Sequence, residues 1–171
     1  MKDVKFGEAA TMFATNEGIV RAMETAYYRD LNEFWIAILK GVLAIEPKWT
    51  IEPKRVLEKP TANYFQFRRT NDKGTRPYFW VDDSWYDAAI ITEGIIRLRC
   101  AWNGASPAQI AAIAALSALP GCQRSKGKAS NLFTTTINCA RGTSIREIAQ
   151  QIADLFGELH KAVDRSLAEE R

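Results

Sequence analysis

The chain has 171 residues, of which 47% are hydrophobic and 25% charged, and its net charge is +3 at pH 7. This balance is typical of a globular protein and excludes collagen-like, disordered and disulfide-scaffold classes. Its apolar runs, such as Phe34–Leu39, are far shorter than the ~20 residues that a membrane-spanning helix needs. We therefore expect a single domain over residues 1–171 and no contact with a membrane.

The cysteines provide no scaffold for metal or redox chemistry. Cys100, Cys122 and Cys139 are odd in number and widely spaced, and no C-x-x-C pair occurs. This pattern favours small buried thiols at Cys100 and Cys139 in a reducing compartment, rather than a disulfide framework or a zinc site. The N-terminal segment has basic residues but lacks the apolar core of a secretory signal. The expected location is cytoplasmic.

The first helix is predicted to begin at Asn16. Residues 1–15 show little periodicity and are expected to form a loose N-terminal arm. Asn16 is a suitable N-cap, with Glu17 just inside the helix, and Pro47 marks the helix end. A short edge strand is expected at Trp49–Ile51. The apolar stripe of the helix recurs at steps of three and four residues: Val20, Met23, Tyr27, Leu31, Phe34, Ile38 and Val42.

Four strand segments follow in the middle of the chain. Tyr64–Arg69 and Tyr78–Asp82 alternate in polarity and flank a polar turn, which predicts a hairpin. Ala88–Thr92 and Ile95–Trp102 flank the dipeptide 93–94, which predicts a second, tight hairpin. One long strand with a bulge at this dipeptide is the alternative.

The last third of the chain is predicted to contain two helices around one strand. Ser106, with Pro107 directly after it, marks the start of an alanine-rich helix. Leu132–Cys139 has the apolar content of a strand. Ser144 and Glu147 form a capping box before the last helix, whose apolar stripe consists of Ile145, Ile148, Ile152, Leu155, Leu159 and Ala162.

The predicted element order, α-β-β-β-β-α-β-α, indicates an α+β fold. Short connections favour a mostly antiparallel sheet of four to five strands. The apolar stripes of the helices favour their packing on one face of that sheet.

No motif indicates catalysis. The loop 121–130 contains glycines and lysines but lacks the spacing and the strand–loop–helix context of a phosphate loop. His160, the single histidine, has no neighbours suited to a triad or a metal site and is expected at the surface. We therefore expect no metal, no cofactor and a non-enzymatic protein. An enzyme with an unusual active site is the remaining alternative.

Four carboxylates lie within twelve residues of one another. A Mg²⁺-dependent nuclease needs such groups converging at a strand end. The favoured interpretation is that they make turn hydrogen bonds between strands, and a nuclease site is the alternative. The four residues are Asp82, Asp83, Asp87 and Glu93.

The alternation of the strands predicts two unlike sheet faces, because successive side chains point to opposite sides. One face is apolar and suited to lie under the helices: Phe65, Phe67, Phe79, Val81, Ile96 and Leu98. The other carries aromatic and arginine side chains: Tyr64, Gln66, Arg68, Tyr78, Trp80, Arg97 and Arg99.

Aromatic and arginine side chains on an open sheet suit more than one partner. They bind single-stranded nucleic acid, whose bases stack and whose phosphates pair with arginine. The same residue types dominate protein interfaces. Ordinary solvated surface, with the rings lying along arginine stems, is the third interpretation.

Two basic loops extend this face if both fall at one end of the sheet, and they contribute further candidate binding residues: Arg69 in the loop 68–76, and Arg124, Lys126 and Lys128 in the loop 124–128. Residues 61–142 carry ten basic and five acidic groups, so this part of the chain suits an acidic partner. We therefore expect a small recognition or adaptor protein that binds a protein partner and self-associates. A nucleic-acid-binding protein, with or without the nuclease site, is the alternative.

Overall fold

Two long helices pack on one face of an antiparallel sheet in the computed structural model. The structure describes residues 7–58, 64–69, 78–81, 89–101, 107, 122–124 and 131–169. Their elements are α1 (Glu8–Ile45), β1 (Trp49–Glu52), a 3₁₀ turn (Lys54–Leu57), β2 (Tyr64–Arg69), β3 (Tyr78–Val81), α2 (Ala89–Thr92), β4 (Ile95–Ala101), β5 (Cys122–Arg124), β6 (Asn131–Asn138) and α3 (Ile145–Glu169). The described strands form a six-stranded sheet in the order β1-β2-β3-β4-β6-β5, with every pair antiparallel. The predicted α+β fold is confirmed.

Helix α1 begins at Glu8, so the predicted loose arm over residues 1–15 is wrong where the structure describes it. Gly7 is the N-cap residue, and its carbonyl accepts from the amides of Ala10 and Thr11 at 3.1 Å. Asn16 lies inside the helix, where its side-chain amide donates to the carbonyl of Met12 at 2.9 Å. The N-cap prediction failed because the side chain of an asparagine can hydrogen-bond to the backbone within a helix as well as at its start.

The strand predictions are confirmed for β1, for the β2–β3 hairpin and for β6. The predicted strand Ala88–Thr92 is wrong: residues 89–92 form the single turn α2, closed by a bond from the Glu93 amide to the Ala89 carbonyl at 2.9 Å. Part of the loop predicted at 121–130 is the strand β5. Of the helix predicted from Ser106, only Pro107 lies within the described residues, where it is helical.

Gly94 joins α2 to β4 in a conformation that other residues rarely adopt. Its φ is +65°, and its carbonyl accepts from the amide of Cys139 at 2.8 Å. A Cβ at Gly94 would lie 2.6 Å from the Cα of Ala140. The backbone of the dipeptide 93–94 therefore lies close to the chain at the end of β6 and does not form a hairpin turn.

The core lies between the sheet and the two long helices, and Phe156 of α3 is at its centre. The ring of Phe156 is 5.1–5.8 Å from those of Phe67, Phe79 and Trp49. His160 is also in this cluster, 4.8 Å from Phe156 and only 2% exposed, so its predicted surface position is wrong. It lies one helical turn after Phe156 and therefore faces the sheet with it.

Helix α3 starts with the predicted capping box. The Glu147 carboxylate accepts from the backbone amide and from the hydroxyl of Ser144, both at 2.7 Å, and the Glu147 amide donates to that hydroxyl at 3.2 Å. The predicted apolar stripe is confirmed, since Ile148, Ile152 and Leu159 are buried. Among the described helices, none has both the length and the apolar character needed to cross a membrane.

Candidate functional site

The two faces of the sheet differ as the alternation predicts. Under the helices, Phe65, Phe67 and Phe79 are fully buried. The opposite side of β2, β3 and β4 carries side chains that reach solvent. We call this side the open face, and define it by six described side chains: Tyr64, Gln66, Arg68, Tyr78, Arg97 and Arg99.

Carboxylates accompany the arginines of the open face. The Arg68 Nε lies 3.4 Å from an oxygen of Glu52, on the neighbouring strand β1. The Arg97 guanidinium lies 2.7 Å from the carboxylate of Glu93, which stands two residues before the start of β4. All four side chains are about two-fifths to one-half exposed, so each pair stays in contact with water and is worth little to stability. Their effect is to lower the positive charge of this face.

The two tyrosines of the open face contact each other. The rings of Tyr64 and Tyr78 meet edge to face with centroids 5.9 Å apart, and Tyr64 is 45% exposed. The backbone register places Arg99 between Trp80 on β3 and Thr134 on β6. Phenol rings, guanidinium groups and hydroxyls together offer both apolar contact and hydrogen-bond donors, a combination suited to carbonyl and carboxylate groups of a partner.

The structure does not bring all the predicted site residues together. Arg69 lies on the helix side of the sheet, where its two terminal nitrogens donate to the Asp164 carboxylate of α3, each at 2.9 Å. Arg69 therefore ties β2 to α3 and is separate from the open face. The sequence analysis grouped it with the loop, although the alternation from Phe65 and Phe67 puts it on their side.

Four further predicted residues are only partly described or not described. The backbone of Trp80 pairs with Tyr64 and Arg99, and that of Arg124 pairs with Phe133. The side chains of Trp80 and Arg124 lie outside the described part of the structure. Lys126 and Lys128 lie outside the described residues altogether, as do most positions of the two basic loops.

Two features were missed by the sequence analysis. Strand β1 adds Thr50 and Glu52 to the open face, opposite Arg68 and Gln66. The alternation in WTIE, residues 49–52, carried that signal. The second is the first half of α1, whose apolar stripe is exposed: Val20 is 38% and Met23 67% exposed. Periodicity gave no sign of this, because a stripe looks the same whether or not something covers it.

The described residues offer little material for catalysis. Within these residues no cluster of three or more His, Cys, Asp or Glu side chains is placed to hold a metal ion. Of the four predicted carboxylates, Glu93 pairs with Arg97, while Asp82, Asp83 and Asp87 lie outside the described residues. Burial raises the pKa of the Cys139 thiol, which keeps it protonated and weakens it as a nucleophile.

Compared with family models, curated proteins and solved structures, the chain has no significant match. Function is therefore inferred from the residues and their geometry alone.

Proposed function

We propose that this protein is a recognition protein that binds a protein partner through its open face. The observation that carries the proposal is the pairing of Arg68 with Glu52 and of Arg97 with Glu93 around the Tyr64–Tyr78 aromatic pair. Arginine and tyrosine are the residue types that dominate protein-binding hot spots. The proposal includes self-association and the reducing, cytoplasmic location that the odd number of cysteines favours.

The same pairing argues against nucleic acid as the main partner. Three arginines of the open face, Arg68, Arg97 and Arg99, are accompanied by two carboxylates. A surface that binds phosphates gains affinity by releasing counterions, in proportion to the positive charges that meet the phosphates. Carboxylates beside the arginines reduce that gain and repel phosphate. A protein surface, in contrast, supplies carboxylates, carbonyls and apolar groups that suit both signs of charge.

The test is the double variant Arg97→Glu/Arg99→Glu. A photo-crosslinker placed at Gln66 of the wild type first captures the partner in an extract of the cells that make this protein, and the partner is then purified. We expect the double variant to bind the purified partner at least about tenfold more weakly, as expected when two interface charges are reversed. Its free energy of unfolding, measured in urea, should stay within roughly 0.5 kcal/mol of the wild type, as for other surface changes.

The matched control is Arg141→Glu/Arg146→Glu, which makes the same charge change at two exposed arginines near the start of α3. It should leave partner binding unchanged. Equal loss in both variants would show that overall charge, not the open face, matters. Binding of a single-stranded oligonucleotide pool that falls steeply with salt and is lost only in Arg97→Glu/Arg99→Glu would instead establish the nucleic-acid alternative.

A further inference from the structure

The first half of α1 projects from the folded body. From Gly7 to Thr25 every residue is exposed, and the first buried residue of the helix is Leu31, at 3%. Helices in proteins owe most of their stability to packing of an apolar face rather than to helix propensity. The exposed half has such a face, made of five large side chains that are 38–67% exposed: Met12, Phe13, Ile19, Val20 and Met23.

We propose that this stripe pairs with the same stripe of a second copy, as two antiparallel helices. The stripe is then the surface through which the self-association proposed above takes place. This association does not depend on what the open face binds. Three properties of the segment support a second copy as the occupant: the amount of apolar surface, the fit of the side chains when the helix meets itself, and the charge of the segment.

The exposed apolar surface is sufficient for a dimer. An aromatic side chain offers roughly 150–250 Å², and if the other side chains are given areas in the lower part of that range, the exposed fractions of these five leave at most roughly 500 Å² on each copy. Two copies together then bury roughly 1,000 Å² of apolar surface. Stable protein interfaces bury about 1,200–2,000 Å² in total, of which about 60% is apolar. The stripe therefore matches an interface of ordinary size.

The side chains fit when two copies lie antiparallel with the twofold axis at the level of Gly18, which itself is on the far side of the helix from the stripe. Phe13 then faces the partner's Met23, and Val20 faces the partner's Asn16. Just beyond the exposed segment, Ala9 faces the partner's Tyr27, a half-buried residue that also packs against the core of its own chain. These positions follow the spacing of three and four residues that two-stranded helical pairs require. The register also uses the whole exposed segment and ends just before Leu31 enters the body.

The two flanks of the stripe differ, and only the antiparallel arrangement brings like flanks together. One flank is apolar, with Met12 and Ile19, and meets itself across the twofold axis. The other is charged: Arg21, 2.8 Å from its own Glu17, lies about 3 Å along the axis from the partner's Glu17, at 1.5 Å per residue. The two Glu17 carboxylates are themselves about 3 Å apart along the axis, and each has an arginine beside it. In a parallel pair, Ile19 would face the partner's Glu24 instead, which buries apolar surface poorly.

The charge of the segment disfavours a lipid surface as the occupant. Residues 8–30 contain four acidic groups and two arginines, a net charge of −2. Amphipathic helices that bind membranes are typically rich in lysine and arginine, because the lipid surface is negative. The same net charge of −2 on each copy also repels a second copy, so in an isologous contact, where the same surface serves both copies, burial of the apolar stripe must outweigh that repulsion.

The first experiment is the molar mass in solution, by size-exclusion chromatography with light scattering. The wild type should have twice the 19.2 kDa of one chain. Val20→Glu/Met23→Glu should weaken association by more than about a hundredfold and give the single-chain mass. The control Thr11→Glu/Thr25→Glu makes the same charge change on the opposite side of the same helix and should stay dimeric. If the charged variant loses helicity, the molar mass of the uncharged variant Val20→Asn/Met23→Gln is the test instead, and it should be that of a single chain.

The second experiment reads the orientation of the helices by disulfide crosslinking. In the antiparallel register, a mixture of Phe13→Cys and Met23→Cys chains crosslinks between position 13 of one and position 23 of the other, as identified by peptide mass. Neither variant alone should crosslink with itself through the new cysteine. Self-crosslinking at position 13 would indicate parallel helices and overturn the proposal. The unmodified chain controls for the native cysteines.

Other outcomes also overturn the proposal. These are a wild type of single-chain mass, a stripe variant that remains dimeric, and a monomer that binds anionic phosphatidylserine vesicles through this stripe. The variant Arg97→Glu/Arg99→Glu separates the two proposals, because it should remain a dimer whatever it does to partner binding. If it becomes monomeric instead, the open face is the self-association surface and the stripe is not.

Discussion

The two halves of α1 share one periodicity but differ in their surroundings. In the second half, Trp35, Ile38 and Leu39 are fully buried against the sheet and α3, whereas in the first half Met12, Ile19 and Met23 are more than 60% exposed. Nothing in the spacing of apolar residues marks the boundary near Leu31. The comparison shows that amphipathic periodicity predicts a helix and the direction of its apolar face, but not whether the same chain covers that face.

The largest expected difference between the halves comes from removing one large side chain from each. Trp35→Ala should lower the free energy of unfolding by about 3–5 kcal/mol, because it opens a cavity in the core. Met23→Ala should change it by less than about 0.5 kcal/mol when measured at a dilution where the chain is monomeric. Urea unfolding followed by circular dichroism measures both. Similar costs for the two variants would contradict the exposed position of the first half.

Glycines sharpen the comparison, because each half of α1 contains one. Gly18 has no atom within 4 Å of an added Cβ, so Gly18→Ala should stabilise the helix by up to about 1 kcal/mol. At Gly41 the added Cβ would lie 3.0 Å from the Cβ of Ala149, a fully buried residue of α3. Overpacking costs about 1–3 kcal/mol, and the helix propensity of alanine returns up to about 1 kcal/mol, so Gly41→Ala should destabilise the protein by up to about 2 kcal/mol. Opposite signs in urea unfolding are expected, and a stabilising Gly41→Ala would show that α1 and α3 separate easily.

The helix starts extend the comparison to smaller effects. Helix α3 begins with the capping box of Ser144 and Glu147, whereas α1 begins at Gly7 with no side-chain cap. Ser144→Ala should cost about 1 kcal/mol of unfolding free energy. Gly7→Ala should leave the urea midpoint unchanged, because the exposed end of α1 unwinds without disturbing the core. A matching loss at Gly7 would mean that the projecting half and the body unfold together.

The smallest expected effect is a dependence on pH at the start of α3. The backbone amide of Ser144 and then its hydroxyl lower the pKa of the Glu147 carboxyl below its ordinary value. The folded state therefore gains stability from this group above the unfolded-state pKa and loses it as the pH falls through the folded-state pKa. Glu147→Gln should be less stable than the wild type at pH 7, and the difference should shrink towards about pH 3. A difference that stays constant with pH would contradict the role of the charge.

The alternation of hydrophobic and polar residues predicted the sheet well, because a strand has only two faces. It placed Phe65, Phe67 and Phe79 in the core, and Arg68 and Arg97 on the other side, as the structure confirms. The same rule applied strictly also predicts Arg69 beside the helices. The error at Arg69 came from letting its place next to a basic loop outweigh its position in the strand.

Helical positions were predicted less well, because the phase of a helix is less constrained than that of a strand. Phe34, predicted in the apolar stripe, is half-buried and packs against the core, but the neighbouring Trp35, which the predicted stripe left out, is fully buried. His160 was missed for the same reason. The short run at residues 88–92 was assigned to a strand, although a few apolar residues in a row are compatible with either structure. The exposure of the apolar stripe in the first half of α1 could not be predicted from periodicity, because it depends on how far along the helix the rest of the fold extends.

The unbroken backbone of α1 has a mechanical consequence. The helix runs from Glu8 to Ile45 without interruption, about 57 Å at 1.5 Å per residue, so its projecting half is a stiff extension of the body rather than a tether. In the proposed dimer, the projecting halves of the two α1 helices overlap side by side and hold the two folded bodies at a fixed separation. Each body carries its own open face. A target that repeats its binding site at that spacing binds both open faces and gains avidity, whereas a target with another spacing binds only one of them. Because the helix is rigid, its length sets the distance between the two open faces.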